Sequence, residues 1–226
     1  RDRRLYLGSL DGEEAEDRRL VARPTADSPA NLPAGSYLAV FRLEGRRETR
    51  FPFLISRRNP VVRAVVRMAT EAEIGSGFVH MPAGRFVIGE GAARELVELP
   101  DLVVARHELT RGEYAEWLAA LAEAEGAAAA KKRMPRKGWS SSGGRFVPEP
   151  ASGDPDLRIP VTEVDWRDAK AYCEWRAKRD GLPWRLPTSG EREAMARGAD
   201  ARVYPWGNSF DWLWTNGGRS RVEPAL

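Results

Sequence analysis

The amino-acid sequence predicts an α+β fold in parts: a small β-sandwich-like segment over residues 1–67, a linker at 68–77, and a larger mixed domain over 78–226. Three observations carry this reading. Short β-rich runs bounded by turn residues fill the first part. Three helices with clear start signals fill the second. Between the first two helices lies a Gly-, Ser- and Pro-rich stretch, about 126–158, of a length that inside a domain is usually functional or disordered.

Leu5-Tyr6-Leu7 opens the β-rich part. Ser36-Tyr37-Leu38-Ala39-Val40-Phe41 follows the turn signal Leu32-Pro33-Ala34-Gly35, and Thr49-Arg50-Phe51-Pro52-Phe53-Leu54-Ile55 is the next strand. Pro52 has no N–H to give a ladder, so its strand is expected at a sheet edge or bulged there. No grouping of polar residues in this part suggests chemistry. Beyond the linker, Phe78-Val79-His80-Met81 and Arg85-Phe86-Val87-Ile88 flank Pro82-Ala83-Gly84 and read as a hairpin. Residues 96–107 are extended again. Thr110 and Glu113 form a capping box ahead of Tyr114, Trp117, Leu118 and Leu121, an apolar stripe at helical spacing. Asp165 caps a second helix whose inner face carries Ala169, Tyr172 and Cys173. Thr188 and Glu191 repeat the box for a third, which Gly198 stops.

Of the 226 residues, 42% are hydrophobic and 31% charged, the balance of a globular chain. No apolar run approaches the roughly 20 residues that span a bilayer. Arg1-Asp2-Arg3-Arg4 has no apolar core behind it, so neither a membrane partner nor a signal peptide is expected. The first residue is not Met, and a piece of a longer polypeptide is the expectation. Net charge is +3 and the pI about 9.2. Arg scattered among Glu and Asp makes a solvated surface rather than a nucleic-acid footprint. The tight cluster Lys131-Lys132-Arg133, with Arg136 and Lys137, lacks interleaved aromatics for base stacking, so no nucleic-acid partner is expected. Cys173 is the single cysteine and cannot form an internal disulfide or a Cys-rich zinc site. A reducing, cytoplasmic location is the default. His80 reads as a satisfied strand histidine, and with His107 it matches no metal-ligand spacing. Neither Gly89-Glu90-Gly91 nor Ser142-Gly143-Gly144 matches a phosphate loop, and no Ser-His-Asp set can be assembled.

Five blocks after residue 77 resemble one family. Gly77 to Gly89 is similar to its opening signature, an apolar strand, a Pro/Gly turn and a Phe-x-x-Gly strand. Ala105-Arg106-His107-Glu108-Leu109-Thr110 running on to Tyr114 resembles its Glu-Val-Thr helix entry. Pro160-Val161-Thr162-Glu163-Val164-Asp165-Trp166-Arg167-Asp168-Ala169 resembles its Pro-Val-x-x-Val-Ser-Trp-x-Asp-Ala block, continuing into Ala171-Tyr172-Cys173-Glu174-Trp175. Arg185-Leu186-Pro187-Thr188 with Glu191, Glu193 and Ala196-Arg197-Gly198 is the strongest match, followed by Tyr204-Pro205-Trp206-Gly207-Asn208. Together these are the fingerprint of formylglycine-generating enzymes, the sulfatase-modifying-factor family, whose fold resembles a C-type lectin. One departure is Arg192, which stands where the family carries a packing Trp.

The resemblance implies several things. The family continues with a Gly-Asn-Val-Trp-Glu-Trp block and an Arg-Gly-Gly-Ser block near its paired active-site cysteines, whereas this sequence ends at Leu226, so an incomplete domain without catalytic residues is expected. Copper would need a cysteine pair from a missing C-terminal half, because two soft thiolates suit Cu(I) and one does not. Cys173 is expected to pack as a small hydrophobe, and Trp166, Trp175 and Trp206 as core aromatics. Asn208, Asp211, Asn216 and Gly217 fall where the family holds structural calcium. The first 67 residues look like the β module that precedes this domain in bacterial serine/threonine kinase proteins, so covalent linkage to an upstream kinase domain is implied. A non-catalytic module with a protein or peptide partner is the leading reading, and a fragment of a copper-dependent oxidase the rival. Without later blocks, the apolar faces at Tyr114–Leu121 and Tyr172–Trp175 are expected to lack part of their cover, leaving the module marginal in isolation.

Overall fold

The computed structural model describes residues 2–7, 19–22, 31–58, 60–150, 156–211 and 214. The chain divides into two compact units: Arg1–Ala105 with Thr188–Leu226, and Arg106–Pro187.

The first unit opens with β1 (Asp2–Leu7), β2 (Arg19–Ala22), β3 (Gly35–Arg42) and β4 (Thr49–Ile55), which form one antiparallel sheet in the order β2-β1-β3-β4. Among the described residues these strands make a single sheet, whereas a sandwich calls for two. Pro52 pairs opposite Leu38 on β4, at the end of that order, so its missing N–H falls on an edge strand as expected. Tyr37, Ala39, Val40, Thr49 and Phe51 are buried in this sheet, and Phe53 stacks on Tyr37 with ring centroids 5.5 Å apart. Within 68–77, Thr70 and Glu73 close a capping box on a single helical turn, α1 (Glu71–Ile74).

Four short strands follow: β5 (Phe78–Met81), β6 (Gly84–Ile88), β7 (Glu95–Leu99) and β8 (Leu102–Ala105). The hairpin expected across Pro82-Ala83-Gly84 is not formed. Instead β6 pairs with β7 and β5 with β8, one pair nested inside the other in sequence. A tight hairpin turn needs positive φ at its centre, and Gly84 does not adopt it. Asp101, just before β8, fixes the alternative: its Oδ1 accepts from the Ala83 N–H at 2.7 Å and lies 3.2 Å from His80 Nε2. The chain returns to this unit with α5 (Ser189–Arg197), capped by Thr188 and Glu191 as expected. Ala194 of α5, and Ala199 just after it, pack with Phe86 of β6.

The second unit contains α2 (Arg111–Glu125), α3 (Ala127–Arg133), the hairpin of β9 (Trp139–Ser142) and β10 (Arg145–Pro148), and α4 (Trp166–Asp180). Both predicted caps are present: Thr110 with Glu113 on α2, and Asp165 accepting from the Asp168 N–H at 2.9 Å on α4. The stretch read as a loop from 126 to 158 is instead structured as far as Pro148. Four consecutive alanines favour the helix, and Gly143 and Gly144 both take positive φ, +55° and +79°, as a two-residue hairpin turn requires. That segment corrects a second expectation. Ala130, Trp139 and Phe146 close over Tyr114, Trp117, Leu118 and Tyr172, which are buried, while Leu121 and Trp175 at the ends of these faces are partly buried.

Candidate functional site

The thiol is the natural starting point, because the chemistry the resemblance implies is thiol chemistry. Residues 169, 172, 173 and 176 share the inner side of α4. Tyr172 is buried between Tyr114, stacked at 6.4 Å, and Trp117, edge-on at 5.9 Å, and Trp175 tilts against it at 5.6 Å. Cys173 is half-buried and packs against this cluster. Burial pushes its thiol above the ordinary range, and the nearby Arg176 only partly offsets this. Since the thiolate is the nucleophile and the metal ligand, this surrounding favours the unreactive form. The donor set does not fit copper: with one cysteine in the sequence there is no second thiolate to complete a soft site.

The exit from α4 is held by aromatic and charged contacts. Arg179 lies over Trp175 at 4.6 Å and Arg176 over Trp184 at 5.2 Å, while Asp180 accepts from Trp184 Nε1 at 2.9 Å. Trp166 departs from expectation. It is 67% exposed, because as the first residue after the Asp165 cap it lies beyond the apolar stripe centred on Tyr172.

The other region of interest follows α5. Tyr204 and Gly207 exchange backbone hydrogen bonds of 2.8 and 3.1 Å, Tyr204 stacks on Trp206 at 5.3 Å, and Phe210 meets Tyr204 edge-on at 5.6 Å. Trp206 is half-buried, and its Nε1–H donates to the Ser209 carbonyl at 3.0 Å. Asn208 Oδ1 accepts from the Val203 N–H at 3.1 Å and keeps a second lone pair. Asp211 lies three residues further on. Asn216 and Gly217 fall outside the described residues. Two of the four candidate calcium positions are therefore placed, both with oxygen donors of the required type. Among the described residues, no three His, Cys, Asp or Glu side chains converge on one point.

In the sequence, Glu193 and Arg197 stand out only as part of the family fingerprint. The structure gives them work. Glu193 accepts the Gly89 N–H at 2.7 Å and pairs with Arg197 one turn on. Arg197 also donates to the carbonyls of Ala201 at 2.8 Å, Arg202 at 2.5 Å and Gly89 at 3.4 Å. The i,i+4 Glu–Arg spacing was the available signal. His80 also differs from its reading. Its side chain is only 6% exposed, and its Nδ1 has no partner among the described residues, so it is satisfied at one nitrogen alone.

A family profile for the sulfatase-modifying factor enzyme 1-like domain matches residues 64–223, well over half of the chain, and the chain belongs to that family. Among individual proteins, it is similar to the mouse protein named inactive C-alpha-formylglycine-generating enzyme 2, 29% identical over 211 residues, covering 76% of this chain and 65% of that protein. It is similar to the formylglycine-generating enzyme of Thermomonospora curvata, 30% identical over 194 residues, covering 71% of this chain and 58% of the relative. The bovine inactive C-alpha-formylglycine-generating enzyme 2 shares 51% over a shorter 61-residue stretch, 26% of this chain and 18% of that protein. The chain thus spans less than two thirds of the length of these relatives.

Proposed function

We propose that this chain is a non-catalytic formylglycine-generating-enzyme-like module that serves protein binding or scaffolding, in the cytoplasm, as part of a kinase-type signalling protein. The observation that carries the non-catalytic reading is the setting of Cys173, a single thiol packed into an aromatic core and held protonated by burial. The name of the mouse relative, which includes the word inactive, supports it. The kinase context rests on the β-rich first part alone. A lectin-like course for the family domain, a sandwich-like completion of the N-terminal sheet, and a structural calcium on Asn208, Asp211, Asn216 and Gly217 belong to the same proposal.

The rival reading is a portion of a copper-dependent oxidase acting on a cysteine of a protein substrate, and the similarity to the Thermomonospora curvata enzyme favours it. Incubating the chain with a cysteine-containing peptide, Cu(I) and oxygen separates the two. Mass spectrometry is expected to find the peptide cysteine unconverted. Aldehyde in the peptide would transfer the assignment to the oxidase.

A further inference from the structure

The first unit contains a cleft of about 910 Å³ bounded by β4, the segment after it, and the β6–β7 pair. Phe53 and Leu54 both line it. Consecutive strand residues point to opposite faces of a sheet, so a cleft that touches both runs along the strand's edge. That edge belongs to β4, which among the described residues pairs only with β3. The walls are apolar and wet: Val65 is 97% exposed, Val61 64% and Leu96 50%.

The rim is cationic. Arg58, Arg63, Arg85 and Arg94 line the cleft against Glu95 and Glu98. Arg85 is neutralised by Glu98 at 3.0 Å. No ion pair of Arg58, Arg63 or Arg94 occurs among the described residues. Solvent-exposed valines beside uncompensated arginines, along an open strand edge, are complementary to one kind of ligand: an extended peptide that pairs its backbone with the edge, seats alternate apolar side chains, and turns carboxylates toward the arginines.

We propose that this cleft binds an extended acidic–apolar peptide segment of a partner protein along the edge of β4 opposite β3, which no described strand pairs with. The proposal rests on the protein-binding reading and gives that binding a place and a chemistry. Pro52, on the same strand, leaves one edge position without a donor, so pairing is expected on the Phe53–Ile55 side of it.

The experiment is fluorescence polarisation with the full 226-residue chain. The probe is a labelled peptide of about eight residues alternating Glu with Val or Leu, long enough at about 3.3 Å per residue to follow the strand edge. The control has Lys in place of each Glu. The Glu peptide is expected to bind and the Lys peptide not, with binding weakened at about 0.5 M salt. The triple variant Arg58→Glu, Arg63→Glu, Arg94→Glu is expected to lose about tenfold or more in affinity. Val65→Asp, at a fully solvated position, is expected to weaken binding without lowering the melting temperature. Equal binding of the Lys peptide, unchanged affinity in the triple variant, or no binding at all overturns the proposal. Binding that emerges only once Asp11, Glu13, Glu14, Glu16 and Asp17 are changed to Asn and Gln would assign the cleft to the chain's own acidic run and also overturn it. The aldehyde assay is independent: a chain that makes no aldehyde and binds no acidic peptide loses the cleft assignment while keeping the non-catalytic reading.

Discussion

Tyr114 and Cys173 share one core, and burial acts on both in the same direction, favouring the protonated form. For Tyr114, desolvation is the largest cause, reinforced by Asp168 and opposed by Arg133. A folded-state pKa above the unfolded one means that the stabilisation is complete below the unfolded value, about 10 for tyrosine, and is lost as pH rises through the folded value. Urea midpoints are therefore expected to fall above about pH 10, and less steeply in Tyr114→Phe; equal slopes would remove Tyr114 from the account. At neutral pH the same variant loses the hydroxyl bond to the Arg133 carbonyl, 2.7 Å long, at a cost of about 1 kcal/mol. Cys173→Ala is expected to cost roughly 1 kcal/mol and to change no peptide chemistry. The native thiol should alkylate more slowly than the unfolded one, and labelling at the unfolded rate would contradict its packing. For the proposed calcium site, adding calcium is expected to raise the melting temperature of the wild type but not of Asp211→Asn. A rise in both would place any bound calcium elsewhere.

At the scale of elements, the three capped helices were legible in the sequence because a cap, whether the boxes at Thr110 and Thr188 or the single Asp165 side chain, is written within four residues and needs nothing distant. Thr110→Ala and Thr188→Ala should each cost about 1 kcal/mol in chemical denaturation, and a change within error at both would mean the boxes are decorative. Pairing was less legible. Nothing near Pro82 announces that β5 waits for β8, because the deciding group is Asp101, some twenty residues away. The 126–148 stretch was misread for another reason: its glycines and serines carry the composition of a loop, yet two of the glycines supply the turn that lets Trp139 and Phe146 reach the core. Phe146→Ala should therefore cost about 3–5 kcal/mol, far above a loop substitution. Thermal melting would show which, and a loss under about 1 kcal/mol would return the segment to loop status. Half of the calcium candidate remains a matter of sequence, since Asn216 and Gly217 lie outside the described residues.

At the scale of the molecule, the first unit is assembled from two separate stretches, and the Glu193–Arg197 pair is one of the devices that joins them. A single guanidinium holds carbonyls at 89, 201 and 202, a task that needs its planar fork of donors. Arg197→Lys keeps the charge but not the fork and is expected to cost about 2–4 kcal/mol. Hydrogen exchange at the Gly89 amide, bonded to Glu193, should quicken in that variant. Unchanged protection there would show that the two stretches are joined by apolar packing alone.

This discontinuity also sets a timetable during synthesis. The stretch that forms the second unit, Arg106–Pro187, is continuous, and its contacts can close as soon as it leaves the ribosome. The first 105 residues emerge earlier but must wait for α5. At roughly 5–20 residues per second, translating the intervening stretch takes several seconds, while a strand pair forms in microseconds. For that interval Phe86 and the β6–β7 pair stand without Ala194 and Ala199 above them. The nascent chain is thus expected to present an uncovered β surface to chaperones for several seconds on every round of translation, and slow codons placed between 106 and 187 would lengthen that exposure without changing a single residue.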